Sequence, residues 1–388
     1  MKNIQLLNKI AKVGTDKLDA ALYNVGTDVT APEGIMVRSA NMLDMDFNPE
    51  LLAIARAGAG VNNIPLDKCT SEGIVVFNTP GANANGVKEL AVCALLLASR
   101  DIVGGIEWVN TLKDDADAAK TVEKNKSKFA GCELQGKTLG VIGLGAIGGL
   151  VANIAVRLGM KVVGCDPFLS VDAAWNLNHN ITHAASYEEV YKVADYITIH
   201  VPATADTKGM INATTMANMK DGVKIINLSR DSLVKSADMI EALASGKVSR
   251  YVTDFATQEL IGVPGAILIP HLGASTEESE DNCAKMAVKQ IMDYLENGNI
   301  VNSVNYPNCD MGVCQAAGRI TILHRNIPNS LGRFTAAIAA DNVNIDGLMN
   351  KSRGEYAYTM LDLDQHPSQE VVDHLKSIDG VIRVRVIK

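Results

Sequence analysis

Residues 138–166, TLGVIGLGAIGGLVANIAVRLGMKVVGCD, place a strand, a glycine turn, a helix and a second strand in one stretch. A β-rich run, Thr138–Ile142, leads into Gly143, Gly145 and Gly148 at GxGxxG spacing. An apolar run with helical periodicity then reaches Leu158, and a second strand, Lys161–Cys165, ends on Asp166. Each glycine answers a steric need. Gly143 allows a tight strand-to-helix turn, Gly145 lets backbone approach a pyrophosphate, and Gly148 lets the helix pack close to the strand. The helix N-terminus offers unpaired N–H groups and the positive end of the helix dipole, which suit an anion. Asp166 can accept from both ribose hydroxyls and would repel a 2′-phosphate, so the expected dinucleotide is NAD rather than NADP.

At 388 residues the chain is long enough for two or three domains with separate cores. The longest apolar run, Ala91–Ala98, is far short of a membrane span. The N-terminal segment MKNIQLLNKIAKVG lacks an apolar stretch followed by a small-residue cleavage site, and a cytoplasmic location is expected. A net charge of −8 argues against nucleic acid or an anionic membrane as the main partner. Seven cysteines with no CxxC pair fit reduced thiols, and Cys309 and Cys314 read as unpaired thiols in a connector. No metal site is expected.

Residues 1–95 alternate apolar runs (Ile35–Val37, Leu51–Ala57, Ile74–Phe77) with turn-like punctuation, the pattern of a small parallel α/β unit. Val87–Asn110 reads as one long helix suited to bridging two domains. Beyond Asp166, strand-like runs recur at Tyr196–His200, Val223–Leu228, Tyr251–Phe255 and Ala266–Pro270, with helical segments Tyr187–Lys192 and Ser236–Ala244 between them. Continued β-α alternation predicts an open, doubly wound parallel sheet of the Rossmann type, with ligands beyond the carboxyl ends of its strands. Glu277–Asn297 reads as another long helix ending at Gly298. After a linker, Ile320–His324, Leu331–Ala340, Val343–Leu348, Tyr356–Leu363, Ser368–Ser377 and Ile382–Ile387 follow the order βαββαβ, a ferredoxin-like arrangement.

Three polar residues fall just after predicted strands of the sheet: Arg230 after IINLS, Glu259 five positions after Asp254, and His271 after AILIP in the string PHLGAST. Removing a hydride from a hydroxyl-bearing carbon needs a base for the hydroxyl proton, a cation for a substrate carboxylate, and a nicotinamide. Histidine titrates near neutrality and suits the base. A carboxylate beside it fixes the ring and favours its protonated form. The arginine fork matches a carboxylate bidentately and stays charged.

GLGAIG, NLSRDSLV, the Asp254–Glu259 spacing and PHLGAST together resemble the D-isomer-specific 2-hydroxy-acid dehydrogenase family over essentially the full length. The resemblance implies His271 as acid/base, Glu259 as its orienting partner and Arg230 as the binder of substrate carboxylate and carbonyl. It implies cofactor contacts from Gly143, Gly145, Ala146, Ile147, Gly148, Asp166, Val201, Pro202, Leu228, Ser229, Arg230, Asp254, His271 and Gly273, with Asp254 holding the nicotinamide carboxamide. It also implies a NAD domain (residues 96–285) inserted into a flavodoxin-like substrate domain (residues 1–95 and 286–310). In VRSA and RAGAGVNNI, Arg38, Arg56 and Gly58 resemble the family's substrate-anion loops. Lys88 and Lys128 are further phosphate candidates. Two departures stand out: Ala146 where the family commonly has Arg, and Asp231-Ser232 where it usually has glycine.

HRNIPNSLGRFTAAIAADNVNI resembles an ACT domain, a small-molecule sensor, within a module spanning residues 318–388. His324, Asn326 and Asn344 match positions that hold L-serine in serine-inhibited relatives, and Asn329 stands where glycine is common. Such modules pair edge to edge, so a homodimer or homotetramer is expected. The resemblance and the module together imply NAD-dependent oxidation of 3-phospho-D-glycerate to 3-phosphohydroxypyruvate, the first step of L-serine biosynthesis, with possible serine feedback. Two alternatives remain open at this point. One is a dehydrogenase for glyoxylate, hydroxypyruvate or another 2-hydroxy acid. The other is a non-catalytic NAD-sensing binding protein like the C-terminal-binding-protein corepressors.

Overall fold

A computed structural model describes residues 1–388. The chain forms two compact units, residues 1–83 with 280–388 and residues 84–279. These boundaries replace the expected breaks at 95/96 and 285/286, and residues 318–388 share the first unit instead of standing apart.

The first unit opens with β1 (Lys2–Leu6), β2 (Tyr23–Gly26), β3 (Gly34–Val37), β4 (Ala53–Arg56) and β5 (Val75–Phe77), in the order β2-β1-β3-β4-β5. All pairings are parallel, which gives the flavodoxin-like order. Successive side chains alternate between two buried faces, as a parallel sheet covered on both sides requires. Ile4, Met36, Ala55, Val75 and Phe77 meet Ala287, Val288, Ile291 and Tyr294 of the helix Glu277–Asn297. Ile35, Val37, Ile54 and Val76 face Met42, Leu51, Ile64 and Cys69. That long helix and its end at Gly298, which takes φ +78°, match the sequence reading. The short strands β1 and β2 carry too little apolar patterning to stand out in the sequence.

The second unit contains β6 (Thr138–Ile142), β7 (Lys161–Cys165), β8 (Ile181–His183), β9 (Tyr196–Ile199), β10 (Val223–Asn227), β11 (Val248–Thr253) and β12 (Ala266–Leu268). The order β12-β11-β10-β9-β6-β7-β8, parallel throughout, is the doubly wound sheet expected from the sequence. Strand order reverses between β6 and β9, the switch point where such sheets bind ligands. The edge strand β8 is three residues long and went unread. The expected helix Val87–Asn110 is two helices, Ala84–Ser99 and Ile102–Asn110. The first buries Val87, Ala91, Ala94, Leu95 and Ala98 in the core of this unit, to which it belongs over its whole length. The break follows from capping: the Asp101 side chain accepts from the Gly104 N–H and starts a new helix.

The first unit closes with β13 (Gly318–Arg325), β14 (Ile345–Arg353), β15 (Tyr356–Leu363) and β16 (Val381–Val386), an antiparallel sheet in the order β14-β15-β13-β16. Helices Ser330–Ala339 and Gln369–Ser377 complete the expected βαββαβ module. One sheet face packs on those helices through Ile320, Ile322, Phe334 and Leu361. On the other face Leu323, Tyr358 and Met360 join the core of the parallel sheet β1–β5 around Ile4 and Tyr294. Arginines reach across to backbone carbonyls: Arg383 donates to Leu51 and Glu72, and Arg385 to Tyr294 and Leu295. No helix of the chain is long and apolar enough to cross a membrane.

Candidate active site

Gly143 follows β6 at φ +86°, a left-handed conformation, and a Cβ there would lie 2.6 Å from the His200 carbonyl oxygen. A Cβ on Gly148 would sit 1.9 Å from the Gly143 carbonyl oxygen, so helix and strand approach closely only because it is glycine. Gly145 precedes the helix Ala146–Arg157, and a Cβ there would meet nothing within 4 Å. No side chain caps the helix N-terminus that follows, so its first N–H groups are left for an anion beside that open space. A pyrophosphate fits there.

Asp166 does more than the sequence reading assigned it. Its Oδ2 accepts from the Leu144 N–H at 2.9 Å and its Oδ1 from Phe168 at 2.9 Å, so it braces the glycine loop while keeping lone pairs for a ribose. Val201 and Pro202 follow β9, and Val201 Cγ1 lies 2.9 Å from where a Gly143 Cβ would be. Ser229 Oγ donates to the Ile199 carbonyl at 2.7 Å, next to buried Leu228. His200 underlies the same loop. Its Nε2 meets Thr198 Oγ1 at 2.9 Å, its Nδ1 is buried without a partner, and burial lowers its pKa from 6.5 to about 4.

The carboxyl ends of β10, β11 and β12 carry Arg230, Asp254 and His271. Asp254 is buried, and its Oδ2 accepts from the Gly273 N–H at 3.2 Å. Burial raises its carboxyl pKa, and the charges of His271 and Arg230 act against that rise, which brings the three groups into one neighbourhood. Asp254 Oδ1 is buried with no partner. An orphaned acceptor at this depth fits the expected amide donor of a nicotinamide carboxamide. The His271 ring packs on Phe255 at 4.7 Å between centroids. Arg230 is exposed, its Nη1 donating to the Ser229 carbonyl. Glu259 lies in an exposed turn, and no hydrogen bond or ion pair joins it to His271. The carboxylate that faces the imidazole electrostatically is that of Asp254.

Two residues escaped the sequence reading. Buried Asn227 donates from Nδ2 to the Arg230 carbonyl at 2.7 Å and accepts the Ser229 N–H at Oδ1, fixing the backbone that presents Arg230. A polar residue closing the apolar strand VKIIN was the available signal. Phe255 left no mark beyond its apolar type.

In the first unit, Arg38 follows β3 and Arg56 ends the neighbouring β4, at paired strand ends. Arg56 Nε donates to the Arg38 carbonyl at 3.1 Å, and Arg38 Nη1 pairs with Glu280 at 2.7 Å. Gly58 has φ +154°, and a Cβ there would lie 2.0 Å from Arg56 Nη1. Lys88 Nζ is bonded to Asn85, while Lys128 lies at a pocket with Lys224 and Arg250 near the amino ends of β10 and β11, opposite the cofactor end.

His324 is buried between β15 and a helix. Its Nδ1–H donates to the Arg325 carbonyl at 2.8 Å, its Nε2 meets Thr359 Oγ1 at 2.9 Å, and its ring abuts Phe334. Both nitrogens are engaged inside the module, so the ring offers no group to serine in this form. Asn326 and Asn344 are exposed, bonded to the Gly354 carbonyl and to Asp346. Asn329 takes φ +64°, which explains how it replaces the usual glycine: asparagine visits the left-handed region more readily than most residues.

Residues 93–273 match the family described as D-isomer specific 2-hydroxyacid dehydrogenase, NAD binding domain. The chain is 34% identical to D-3-phosphoglycerate dehydrogenase of Bacillus subtilis over 284 residues, 71% of this chain and 52% of that protein, so it spans about half the length of that relative. It is 29% identical to the Haemophilus influenzae protein of the same name over 350 residues, covering 87% of this chain and 82% of that one. The crystal structure of NAD+-bound 3-phosphoglycerate dehydrogenase from Entamoeba histolytica superposes with a TM-score of 0.62 at 26% identity, covering 78% of this chain and 98% of that chain. Residues 93–273 are thus similar to the NAD-binding domain of the D-isomer specific 2-hydroxyacid dehydrogenases.

Proposed function

We propose that the chain is an NAD-dependent oxidoreductase that interconverts 3-phospho-D-glycerate and 3-phosphohydroxypyruvate, the first step of L-serine biosynthesis. The gathering of Arg230, Asp254 and His271 at the carboxyl ends of three adjacent strands carries this reading. NAD, which the glycine loop of Gly143, Gly145 and Gly148 together with Asp166 and Asp254 would hold, would supply the hydride acceptor for the substrate carbon. His271 takes the hydroxyl proton in oxidation and returns it in reduction. Arg230 holds the carboxylate and polarises the carbonyl oxygen. Glu259 is assigned to orient His271, and the exposed turn that carries it must then move toward the ring. Arg38, Arg56 and Gly58 are assigned to the substrate's anionic groups. Two arginines at neighbouring strand ends favour a doubly anionic substrate over glyoxylate. L-serine is proposed as effector through Asn326 and Asn344, in a homodimer or homotetramer and a cytoplasmic setting.

The test is NADH consumption with phosphohydroxypyruvate, hydroxypyruvate and glyoxylate, with and without serine. A kcat/KM highest for the phosphorylated acid supports the reading. Preference for glyoxylate replaces the substrate, and no turnover with any keto acid turns the chain into a NAD-sensing binding protein.

A further inference from the structure

We propose that Asn8 is a positioning residue of the substrate site and that it divides anion recognition between two loops of the first unit. The proposal rests on reading Arg38 as a substrate ligand. Asn8 lies just beyond β1, and its Oδ1 accepts from the N–H groups of Arg38, Ser39 and Ala40 at 3.0, 3.0 and 2.9 Å. Successive backbone N–H groups converging on one point form a concavity that ordinarily takes an anion. Here a neutral amide oxygen from the chain itself fills it.

Two consequences follow from that contact. The backbone of Arg38 is held from both sides, its N–H by Asn8 and its carbonyl by Arg56 Nε at 3.1 Å. The guanidinium therefore extends from a fixed root, and only its pairing with Glu280 has to change when an anion arrives. The amides of this loop are also spent. Recognition of a second anionic group falls to the loop after β4, where neither the Ala59 nor the Gly60 N–H has an acceptor within the chain. An asparagine does this without placing a charge beside the anion, which an aspartate would do.

The experiment pairs amide hydrogen exchange at residues 38–40 with steady-state kinetics on the full chain. In Asn8→Ala, exchange at 38–40 should lose its protection. KM for the keto acid should rise roughly tenfold or more, with kcat within about twofold and NADH affinity unchanged. Placed in an Arg38→Ala background, Asn8→Ala should add less than about twofold to KM, because it acts through Arg38. Asn8→Asp should keep the protection, since a carboxylate oxygen accepts the same bonds. If the alanine variant does not fold, Asn8→Ser, whose shorter side chain cannot span the three donors, is held to the same readouts. Unchanged exchange at 38–40, or an equal KM rise with and without Arg38, overturns the proposal. If the wild-type chain turns over no keto acid, the substrate reading fails and the exchange result alone decides the clamp.

Discussion

The carbonyl oxygen of Gly143 lies where a Gly148 Cβ would come within 1.9 Å, while a Cβ on Gly145 would meet nothing within 4 Å. The two glycines therefore exclude a methyl for different reasons, one packing and one ligand. Gly148→Ala should lower both Tm and NADH affinity. Gly145→Ala should leave Tm unchanged and weaken NADH binding roughly tenfold or more, because its methyl takes space meant for pyrophosphate. Thermal melts and NADH fluorescence titration on both variants check this, and equal Tm losses would contradict it.

Arg38 pairs with Glu280 at 2.7 Å, and with Arg38 proposed as a substrate ligand that pair would compete with an incoming anion. Glu280→Gln should lower KM for the anionic keto acid several-fold and leave Tm nearly unchanged, since a part-exposed pair contributes only about 0–1 kcal/mol. A raised KM would mean that Glu280 orients the guanidinium rather than restrains it.

Part-buried His200, whose Nδ1 is enclosed without a partner, gives a pH prediction whose sign is fixed. Its folded pKa of about 4 lies below the ordinary 6.5, so between these values the unfolded chain binds the extra proton. This group's contribution is complete above about pH 6.5 and is lost as pH falls toward 4, by about 3 kcal/mol at most. His200→Gln should flatten the fall in Tm between pH 7 and 5 relative to wild type. An equally steep fall in the variant would assign the loss to other groups.

Much of the second unit was legible because its glycine spacing, acid and strand repeats are local patterns. The βαββαβ module was legible for the same reason, down to Tyr356–Leu363 as a strand. What the sequence concealed was nonlocal. No spacing announces that Asp101 restarts a helix, that Asn8 meets Arg38 across thirty residues, or that His324 spends both nitrogens indoors. The C-terminal module was read as separable because a complete motif suggests an independent core. Its second sheet face is buried in the core of the parallel sheet β1–β5 instead.

That burial changes what truncation should do. Removing residues 318–388 uncovers the core contacts of Leu323, Tyr358 and Met360, and should yield an unstable or aggregating chain instead of a clean catalytic core. Arg319 anchors the same seam: it is 1% exposed, pairs bidentately with Asp362, and donates to the Asn297 and Gly312 carbonyls. Arg319→Leu leaves Asp362 and those carbonyls unpaired and should cost about 3–5 kcal/mol in denaturant unfolding. A loss under about 1 kcal/mol would show that the seam does not depend on this arginine. Serine response is better tested by Asn326→Ala and Asn344→Ala, both exposed, than by truncation.

The most direct measurement of the catalytic assignment is single-substrate kinetics of His271→Ala at saturating NADH, alongside NADH binding. The imidazole beside Asp254 and Arg230 is assigned the proton transfer, so kcat for the keto acid should fall roughly 10²–10⁴-fold while NADH affinity stays near wild type. An unchanged kcat would remove His271 from the chemistry, and the dehydrogenase mechanism with it.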